Sequence, residues 1–186
     1  MGEPIILETK RLLLRRFRLD DLESLAAILG DPETVRFYPE PFTRERTLKW
    51  IEDNLRRYEA DGFGLWAVQL KSTGEFIGDC GPAVQDVEDA REIELGWHVR
   101  RQLWGKGLAT EAATVSRDWV FENLAAERLI SLIRPENQAS RRVAEKIGMQ
   151  VSREVAFGSK GWPHLLYEVT PARAARFDSA SCPGPG

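Results

Sequence analysis

Hydrophobic positions along the chain follow two periods in turn, and the pattern predicts a mixture of strands and helices. Alternating apolar and polar positions predict strands over 5–16, 64–70, 75–83, 91–99, 128–134, 149–157 and 164–170. Apolar positions at helical spacing predict two helices that begin near Asp20 and Thr43, and two more over 107–122 and 138–147. The order predicts an α+β (mixed α/β) fold with about six to seven strands and about four helices.

Length and composition bound the number of domains. The chain has 186 residues, of which 42% are hydrophobic, which is enough for one packed domain and short for two. We assign residues 1–170 to this domain and 171–186 to a C-terminal tail. The tail is expected to be disordered at its end, over 179–186, where Ser, Pro and Gly prevail.

Charge and cysteine usage narrow the classes of partner. The formal net charge is -3, so no global positive field favours nucleic acid or an anionic membrane. There is no apolar run of transmembrane length and no secretory signal pattern at the N-terminus. Cys80 and Cys182 do not form a metal-ligand or redox spacing. These observations favour a cytoplasmic protein without a metal.

A glycine pair marks the junction between the strand over 91–99 and the helix over 107–122. Gly105 and Gly107 allow an anion to approach the free N–H groups of a helix N-terminus, where the helix dipole adds positive charge. The spacing lacks the Gly-Lys-Ser/Thr ending of a Walker loop, and Thr110 replaces the third glycine of a dinucleotide fingerprint. The loop therefore predicts a phosphate site of another kind.

Three segments carry a family resemblance. Gln102 to Gly107 fits the pattern Gln/Arg-x-x-Gly-x-Gly/Ala, and a strand over 128–134 is followed by Asn137, a short helix and Gly148. The third segment covers residues 7–17 and is followed by Asp20 and Asp21, which precede a predicted amphipathic helix. Together they resemble the GNAT superfamily of N-acetyltransferases, and within it the RimJ/RimL-like branch of ribosomal-protein acetyltransferases. The resemblance extends from Leu7 to about Thr170.

The resemblance implies a GNAT fold, a mostly antiparallel twisted sheet in which the two strands flanking the loop helix splay to form a slot. Acetyl-CoA would bind there as co-substrate, with its pantetheine arm paired to the main chain of His98 and Val99 and its pyrophosphate on the loop. The cofactor-binding residues implied are His98, Val99, Gln102, Gly105, Lys106, Gly107, Leu108, Ala109, Thr110 and Asn137.

N-acetylation also needs proton transfer, and the resemblance implies two residues for it. Glu94 matches a frequent glutamate of this branch and would be the base, with Glu92 and His98 on the same strand face. Ala144 stands where many members have a tyrosine, so Ser140 would donate the proton to the leaving thiolate. Helix capping for Asn137 and Ser140, and a solvated role for Glu94, are the alternative interpretations.

The sequence thus predicts an acetyl-CoA-dependent N-acetyltransferase that acts by direct attack in a ternary complex. The acceptor would be a primary amine, either a protein N-terminus or a small molecule. A non-catalytic acyl-CoA-binding sensor with the same fold is the alternative, because the usual tyrosine is missing. The acceptor and the oligomeric state stay open, and a homodimer is among the states allowed.

Overall fold

The computed structural model describes residues 5–181 of the chain, with the side chains of residues 5–178. Its strands are β1 (Ile5–Glu8), β2 (Leu12–Arg15), β3 (Trp66–Leu70), β4 (Phe76–Val87), β5 (Ala90–Val99), β6 (Leu129–Ile133), β7 (Gln150–Phe157) and β8 (Trp162–Val169). Its α-helices are α1 (Leu22–Leu29), α2 (Arg44–Ala60), α3 (Leu108–Asn123), α4 (Gln138–Lys146) and α5 (Pro171–Ser181).

All eight strands form a single sheet in the order β1-β2-β3-β4-β5-β6-β8-β7. Every neighbouring pair is antiparallel except β5 and β6, which are parallel and meet at one register pair, Glu94 with Ile130. The connection between these two strands contains α3, as a parallel crossover requires. The mixed, mostly antiparallel fold predicted from the sequence is confirmed.

Helices cover both faces of the sheet, and two consecutive residues of β4 show this. Asp79 accepts a hydrogen bond from Trp50 of α2, whereas the thiol of Cys80 lies 3.6 Å from the Ser116 hydroxyl of α3. Successive side chains of a strand point to opposite faces, so α2 and α3 pack on opposite sides. The core lies between the sheet and these helices, with Leu25, Ile51, Ala113 and Leu129 fully buried; the functional residues project from the same two faces.

The N-terminal segment differs from its predicted form. The strand predicted over 5–16 is a hairpin of β1 and β2, which raises the strand count above the predicted six to seven. Thr9 closes the turn, because its main-chain N–H donates to the carbonyl of Leu12 and its hydroxyl oxygen accepts from the Leu12 N–H at 2.9 Å. A side-chain bond of this kind stops a strand at a position that hydrophobic alternation does not reveal.

The C-terminal segment also differs, because the predicted tail begins with helix α5, a fifth helix in the described part. Ala174 is buried, and Arg173 donates to the carbonyl of Gly148 at 2.8 Å. Asp178 pairs with Arg117, whose side chain is 1% exposed. These contacts hold a segment that we expected to be a tail. Helix α5 also includes residues 179–181, which were predicted to be disordered. Residues 182–186, with Cys182, lie outside the described residues.

Candidate active site

A cleft opens where β5 and β6 separate beyond their one register pair. Its volume is about 740 Å³, and it extends from the α3 N-terminus to the loop between α1 and α2. Near the point of separation, the Ser131 hydroxyl of β6 donates to the carbonyl of Leu95 at 2.7 Å. Further along β5, the Trp104 indole N–H donates to the carbonyl of Val99 at 2.6 Å. Side chains thus replace the missing strand-to-strand bonds at the edge of β5.

These two bonds fix which main-chain groups of β5 line the opening. The carbonyls of Leu95 and Val99 both point towards β6, and a strand repeats its orientation every second residue. The main-chain groups of Trp97 therefore point the same way, whereas those of His98 point to β4, where His98 is registered with Asp79. The main chain of His98 is therefore not presented at the opening, contrary to the predicted pairing with pantetheine, whereas the main-chain groups of Trp97 and Val99 are.

The glycine loop has the geometry that an anion site at a helix N-terminus requires. Gly105 and Gly107 both have φ of 75°, and Gly107 is the N-cap of α3. The Glu111 N–H donates to the Gly107 carbonyl at 3.0 Å as the first bond of the helix. The N–H groups of Leu108, Ala109 and Thr110 precede this bond, so they have no carbonyl within the helix to receive them. They line the cleft with both glycines and leave donors for an anion.

Two of the residues predicted to bind the cofactor do not line this cleft. Gln102 belongs to a short 3-10 helix (Arg101–Leu103) and lines a separate depression beside Ala27 and Ile28 of α1. Lys106 lies in the loop, but its side chain is absent from the lining of the cleft. Its carbonyl accepts from the Arg11 guanidinium at 2.9 Å. Their predicted part in cofactor binding therefore has no support from the lining of this cleft.

The loop is braced by the β1–β2 turn, which the sequence analysis missed. Arg11 contacts the Lys106 carbonyl and also donates through Nε to the Glu111 carboxylate at 2.6 Å. Thr9 donates its hydroxyl to the other Glu111 oxygen at 2.6 Å. Burial alone would raise the pKa of Glu111, but the bonds from Thr9 and Arg11 lower it overall. No local pattern links residues about 100 positions apart in this way.

On the opposite wall, Asn137 caps helix α4. Its side-chain oxygen accepts from the Ser140 N–H at 3.1 Å, and both residues line the cleft. The capping interpretation is thus observed for Asn137. Ala144, which the sequence resemblance matches to a tyrosine of many family members, is 0% exposed and belongs to the hydrophobic core. A tyrosine at this buried position would overpack the core.

Glu94 lies at the floor of the cleft, beside the point where the strands separate. One carboxylate oxygen accepts from the Leu132 N–H of β6 at 3.4 Å. Burial raises the pKa of Glu94 to about 7, against the opposing influence of the Leu132 hydrogen bond and the nearby charges of Arg57 and His98. A carboxylate with this pKa can accept a proton near neutral pH. Its partly open position makes it a base within reach of a bound molecule.

A second polar network, also missed from the sequence, lies next to Glu94. His98 Nδ1 is 2.7 Å from Asp79 Oδ1, and His98 Nε2 is 2.8 Å from the Tyr38 hydroxyl. The Trp50 indole N–H donates to the other Asp79 oxygen at 3.0 Å. Asp79 is fully buried, whereas Tyr38, Trp50 and His98 all line the cleft. The four residues come from a loop, α2, β4 and β5, so no sequence spacing joins them.

The rest of the cleft wall is aromatic and basic. Phe37 and Trp97 line it, and Trp162 stacks under the guanidinium of Arg134 with 4.6 Å to the ring centroid. Arg134 Nη1 is buried and has no hydrogen-bond partner among the described residues. Within residues 5–178, no cluster of His, Cys, Asp and Glu is arranged to hold a metal ion. None of the helices in this part of the chain has the length and apolar character needed to cross a membrane.

Comparison with known proteins identifies the family. The acetyltransferase (GNAT) domain family matches residues 11–150. The chain belongs to this family. It is 36% identical over 163 residues to the Bacillus subtilis protein YkkB, covering 87% of this chain and 94% of that protein. The GNAT resemblance inferred from the glycine loop and the Asn137 segment is thereby confirmed, as is the prediction of an acetyltransferase enzyme.

Solved structures agree with this assignment. The acetyltransferase from Agrobacterium tumefaciens superposes with a TM-score of 0.77 at 30% identity, covering 91% of this chain and 95% of that one. A putative ribosomal-protein-serine acetyltransferase from Vibrio cholerae shares the fold, with a TM-score of 0.76 at 20% identity over 92% of this chain and all of its own. GNAT acetyltransferases use acetyl-CoA, and the free N–H groups at the α3 N-terminus fit its pyrophosphate.

Proposed function

We propose that this acetyltransferase transfers the acetyl group of acetyl-CoA directly to a primary amine in a ternary complex. Acetyl-CoA supplies the activated acetyl group, and the N–H groups of Leu108 to Thr110 would hold its pyrophosphate. The main chain of Trp97 and Val99 would pair with the pantetheine amides, in the manner of an added strand. Asn137 would line the path of the same arm. A cytoplasmic location, where acetyl-CoA is made and used, is part of the proposal.

The observation that most supports the proposal is the position and pKa of Glu94. An ammonium must lose a proton before its nitrogen can attack a carbonyl, and Glu94 is a carboxylate at the cleft floor whose pKa is raised to about 7. The Val99 N–H, on the edge of β5 that faces the opening, would donate to the thioester oxygen as negative charge develops. Ser140 would pass a proton to the departing thiolate. Each demand of the reaction thus has a group in the cleft.

The acceptor is proposed as an amine on a small molecule or at a protein N-terminus. The fold match to a ribosomal-protein-serine acetyltransferase makes N-terminal peptides one class to test. The aromatic wall of Phe37, Tyr38 and Trp162 favours a molecule with apolar or flat surface beside its amine. Small amines and peptides therefore belong in the same screen.

An acceptor screen tests the proposal. Purified protein and acetyl-CoA are mixed with N-terminal peptides, polyamines, aminoglycosides and amino acids, thiol release is followed, and mass spectrometry identifies the acetylated product. We expect turnover on at least one amine, and we expect Glu94→Gln to lower kcat/KM about 100-fold because the base is lost. Glu92→Gln is the matched control, since Glu92 is on the same strand but pairs with Arg128 outside the cleft. Thiol release without an acetylated amine would contradict the proposal.

A further inference from the structure

The network of Asp79, His98 and Tyr38 has one buried end and one end at the cleft. Asp79 is fully buried on β4, and Tyr38 lies in the loop between α1 and α2, on the cleft wall. His98 connects them through distances of 2.7 Å and 2.8 Å. The chain of contacts therefore runs from a carboxylate inside the protein to a tyrosine that lines the cleft.

Donor and acceptor chemistry fixes the direction of these hydrogen bonds. The Asp79 carboxylate only accepts, and it receives the Trp50 indole N–H on Oδ2. Its Oδ1 therefore receives Nδ1–H of His98. In the neutral imidazole that leaves Nε2 as an acceptor, so the Tyr38 hydroxyl donates to it. The lone pairs of the Tyr38 oxygen are then directed away from His98 and can accept a hydrogen bond from an amine.

Tyr38 is suited to transmit a proton and unsuited to keep a charge. Burial raises the pKa of its hydroxyl well above the ordinary value, and the negative charges of Asp79 and Glu94 raise it further, against the charge of Arg46. A phenolate at this position is therefore disfavoured. If Tyr38 takes a proton from an ammonium, it must therefore release its own proton to His98 in the same event. The imidazolium that forms would be stabilised by the Asp79 carboxylate beside it.

We propose that Asp79, His98 and Tyr38 form a proton relay for the acceptor amine, with Tyr38 as the residue that contacts the amine. The proposal rests on the proposed function. An N–H bond of the acceptor ammonium breaks as an O–H bond forms on Tyr38, and the original Tyr38 proton moves to His98 Nε2. Glu94 and the relay are then two separate proton acceptors in one cleft, and Asp79 is a positioning residue.

Charged groups from three elements surround the relay. Asp79 of β4 contacts His98 directly, and Glu94 of β5 and Arg46 and Arg57 of α2 line the same cleft. The His98 side chain is 10% exposed, so water does not replace Tyr38 as its partner freely. A network needed only for packing would be at least as stable with apolar residues, because a buried carboxylate loses its hydration.

Kinetics of paired variants test the relay. We expect Tyr38→Phe and His98→Gln each to lower kcat/KM for the acceptor about 10- to 100-fold, with the KM for acetyl-CoA unchanged. Tyr167→Phe is the matched control, because that hydroxyl contacts Arg141 and Glu145 and does not line the cleft. The Glu94→Gln variant should keep a residual rate that depends on pH. In the double variant Glu94→Gln/His98→Gln this pH dependence should be lost. An unchanged pH profile in the double variant would overturn the relay.

A spectroscopic measurement covers the case in which these variants are unstable. The chain has two histidines, so nitrogen-15 spectra of the wild-type protein with His164→Gln as reference assign the His98 ring. We expect the Nδ1–H tautomer in the neutral ring and its loss in Asp79→Asn; an Nε2–H tautomer in the wild-type protein would overturn the relay. The proposed function fails separately, if the wild-type protein acetylates no amine. The relay alone fails if an amine is acetylated and Tyr38→Phe retains the full rate.

Discussion

The two halves of the cleft are built on different principles. The half at the α3 N-terminus comes from one continuous segment, Gly105 to Thr110, and offers main-chain N–H groups. The half beside α2 comes from separated segments and offers the side chains of Tyr38, Glu94 and His98. The first depends on backbone conformation and on the absence of a Cβ, and the second depends on ionisable groups held at defined distances.

The difference separates the expected consequences of substitution. Changes in the main-chain half should act on the affinity for coenzyme A, because in the proposed binding mode its N–H groups hold the pyrophosphate, which does not react. Changes in the side-chain half should act on kcat and its pH dependence, because its groups exchange protons. Substitutions that mix the two effects would show that the division is wrong.

The largest expected effect on the affinity for coenzyme A is that of Gly107→Asp. Gly107 has φ of 75°, which strains any residue with a Cβ, and the new carboxylate would lie at the helix N-terminus that we propose as the pyrophosphate site. Loss of one charged hydrogen-bonding interaction, worth about 1.5–3 kcal/mol, corresponds to a fall in coenzyme A affinity of roughly 10- to 100-fold. Calorimetric titration with coenzyme A measures the fall.

Gly74→Asp is the control for this substitution. Gly74 has φ of 73° in the β3–β4 turn and does not line the cleft, and a Cβ added to it would approach no other part of the described chain within 4 Å. Both variants therefore carry the same kind of backbone strain, but only Gly107→Asp places a carboxylate at the anion site. Equal losses of affinity in the two variants would show that strain, and not competition for the anion site, explains the effect.

This contrast also explains how much could be predicted from the sequence. Gly105, Gly107 and Asn137 were predicted from short motifs to bind the cofactor, and all three line the cleft. The glycine pair is visible in the sequence because a main-chain site of this kind lies in one short segment. Tyr38 and Asp79 were missed because their contact with His98 joins positions 60 and 19 residues apart in the sequence. Neither residue has a local neighbour that signals its role. Only the register of β4 with β5 and the position of the loop bring them together.

The sheet shows the same limit. Strands β3 to β8 were predicted close to their observed positions, since each has a hydrophobic pattern of its own. The break between β1 and β2 depends on the Thr9 side chain, and α5 depends on contacts of Arg173 and Asp178 with distant residues. The orientation of the His98 main chain likewise follows from strand pairing. Features decided by tertiary contacts are the ones that the sequence pattern did not contain.

In the side-chain half, the pH dependence is the sharpest prediction. Glu94 has a pKa of about 7 and must be ionised to act as a base, so the acetylation rate should rise as pH increases through about 7. In Glu94→Gln this rise should largely disappear and leave a smaller dependence. Initial rates between pH 5.5 and 8.5 measure both profiles. An identical rise in the two proteins would exclude Glu94 as its source.

The same pKa has a consequence for stability with a definite sign. The pKa of Glu94 is higher in the folded protein than in the unfolded chain, so the folded state holds the proton more tightly. Stability from this group is present below the ordinary glutamate pKa and is lost as pH rises to about 7. Glu94→Gln should therefore unfold at a higher temperature than the wild type at pH 8, and the difference should shrink at pH 5. A gain in unfolding temperature that is the same at pH 5 and pH 8 would contradict the raised pKa of Glu94.

A smaller effect is expected for Arg11→Ala, which tests the brace behind the main-chain half. Without the Arg11 side chain, the Glu111 carboxylate loses its ion pair and keeps only hydrogen bonds from the Thr9 hydroxyl and the main-chain N–H of residue 11, and the Lys106 carbonyl loses its donor. We expect the KM for acetyl-CoA to rise about 3- to 10-fold with little change in kcat, because a nearby charge contributes about 1 kcal/mol. Steady-state kinetics with varied acetyl-CoA measure it.

The double variant Arg11→Ala/Glu111→Gln separates two ways in which Arg11 can act. If Arg11 serves mainly to neutralise Glu111, removing the carboxylate should restore most of the lost affinity. If it serves mainly to hold the Lys106 carbonyl, the double variant should bind as weakly as the single one. Either result locates the source of the effect within the loop, whereas an unchanged KM in Arg11→Ala would show that the main-chain half needs no brace.

The smallest effect is expected for Ser140→Ala, at the point where the two halves meet. Ser140 gives its N–H to the cap of α4 and lines the cleft, and we propose that its hydroxyl donates to the departing thiolate. A thiolate is a tolerable leaving group near neutral pH, so loss of the donor should lower kcat only about 3- to 10-fold and leave the KM for acetyl-CoA unchanged. The main-chain cap survives the substitution, because alanine retains the N–H. A raised KM with an unchanged kcat would assign Ser140 to the binding of coenzyme A, and so to the main-chain half of the cleft.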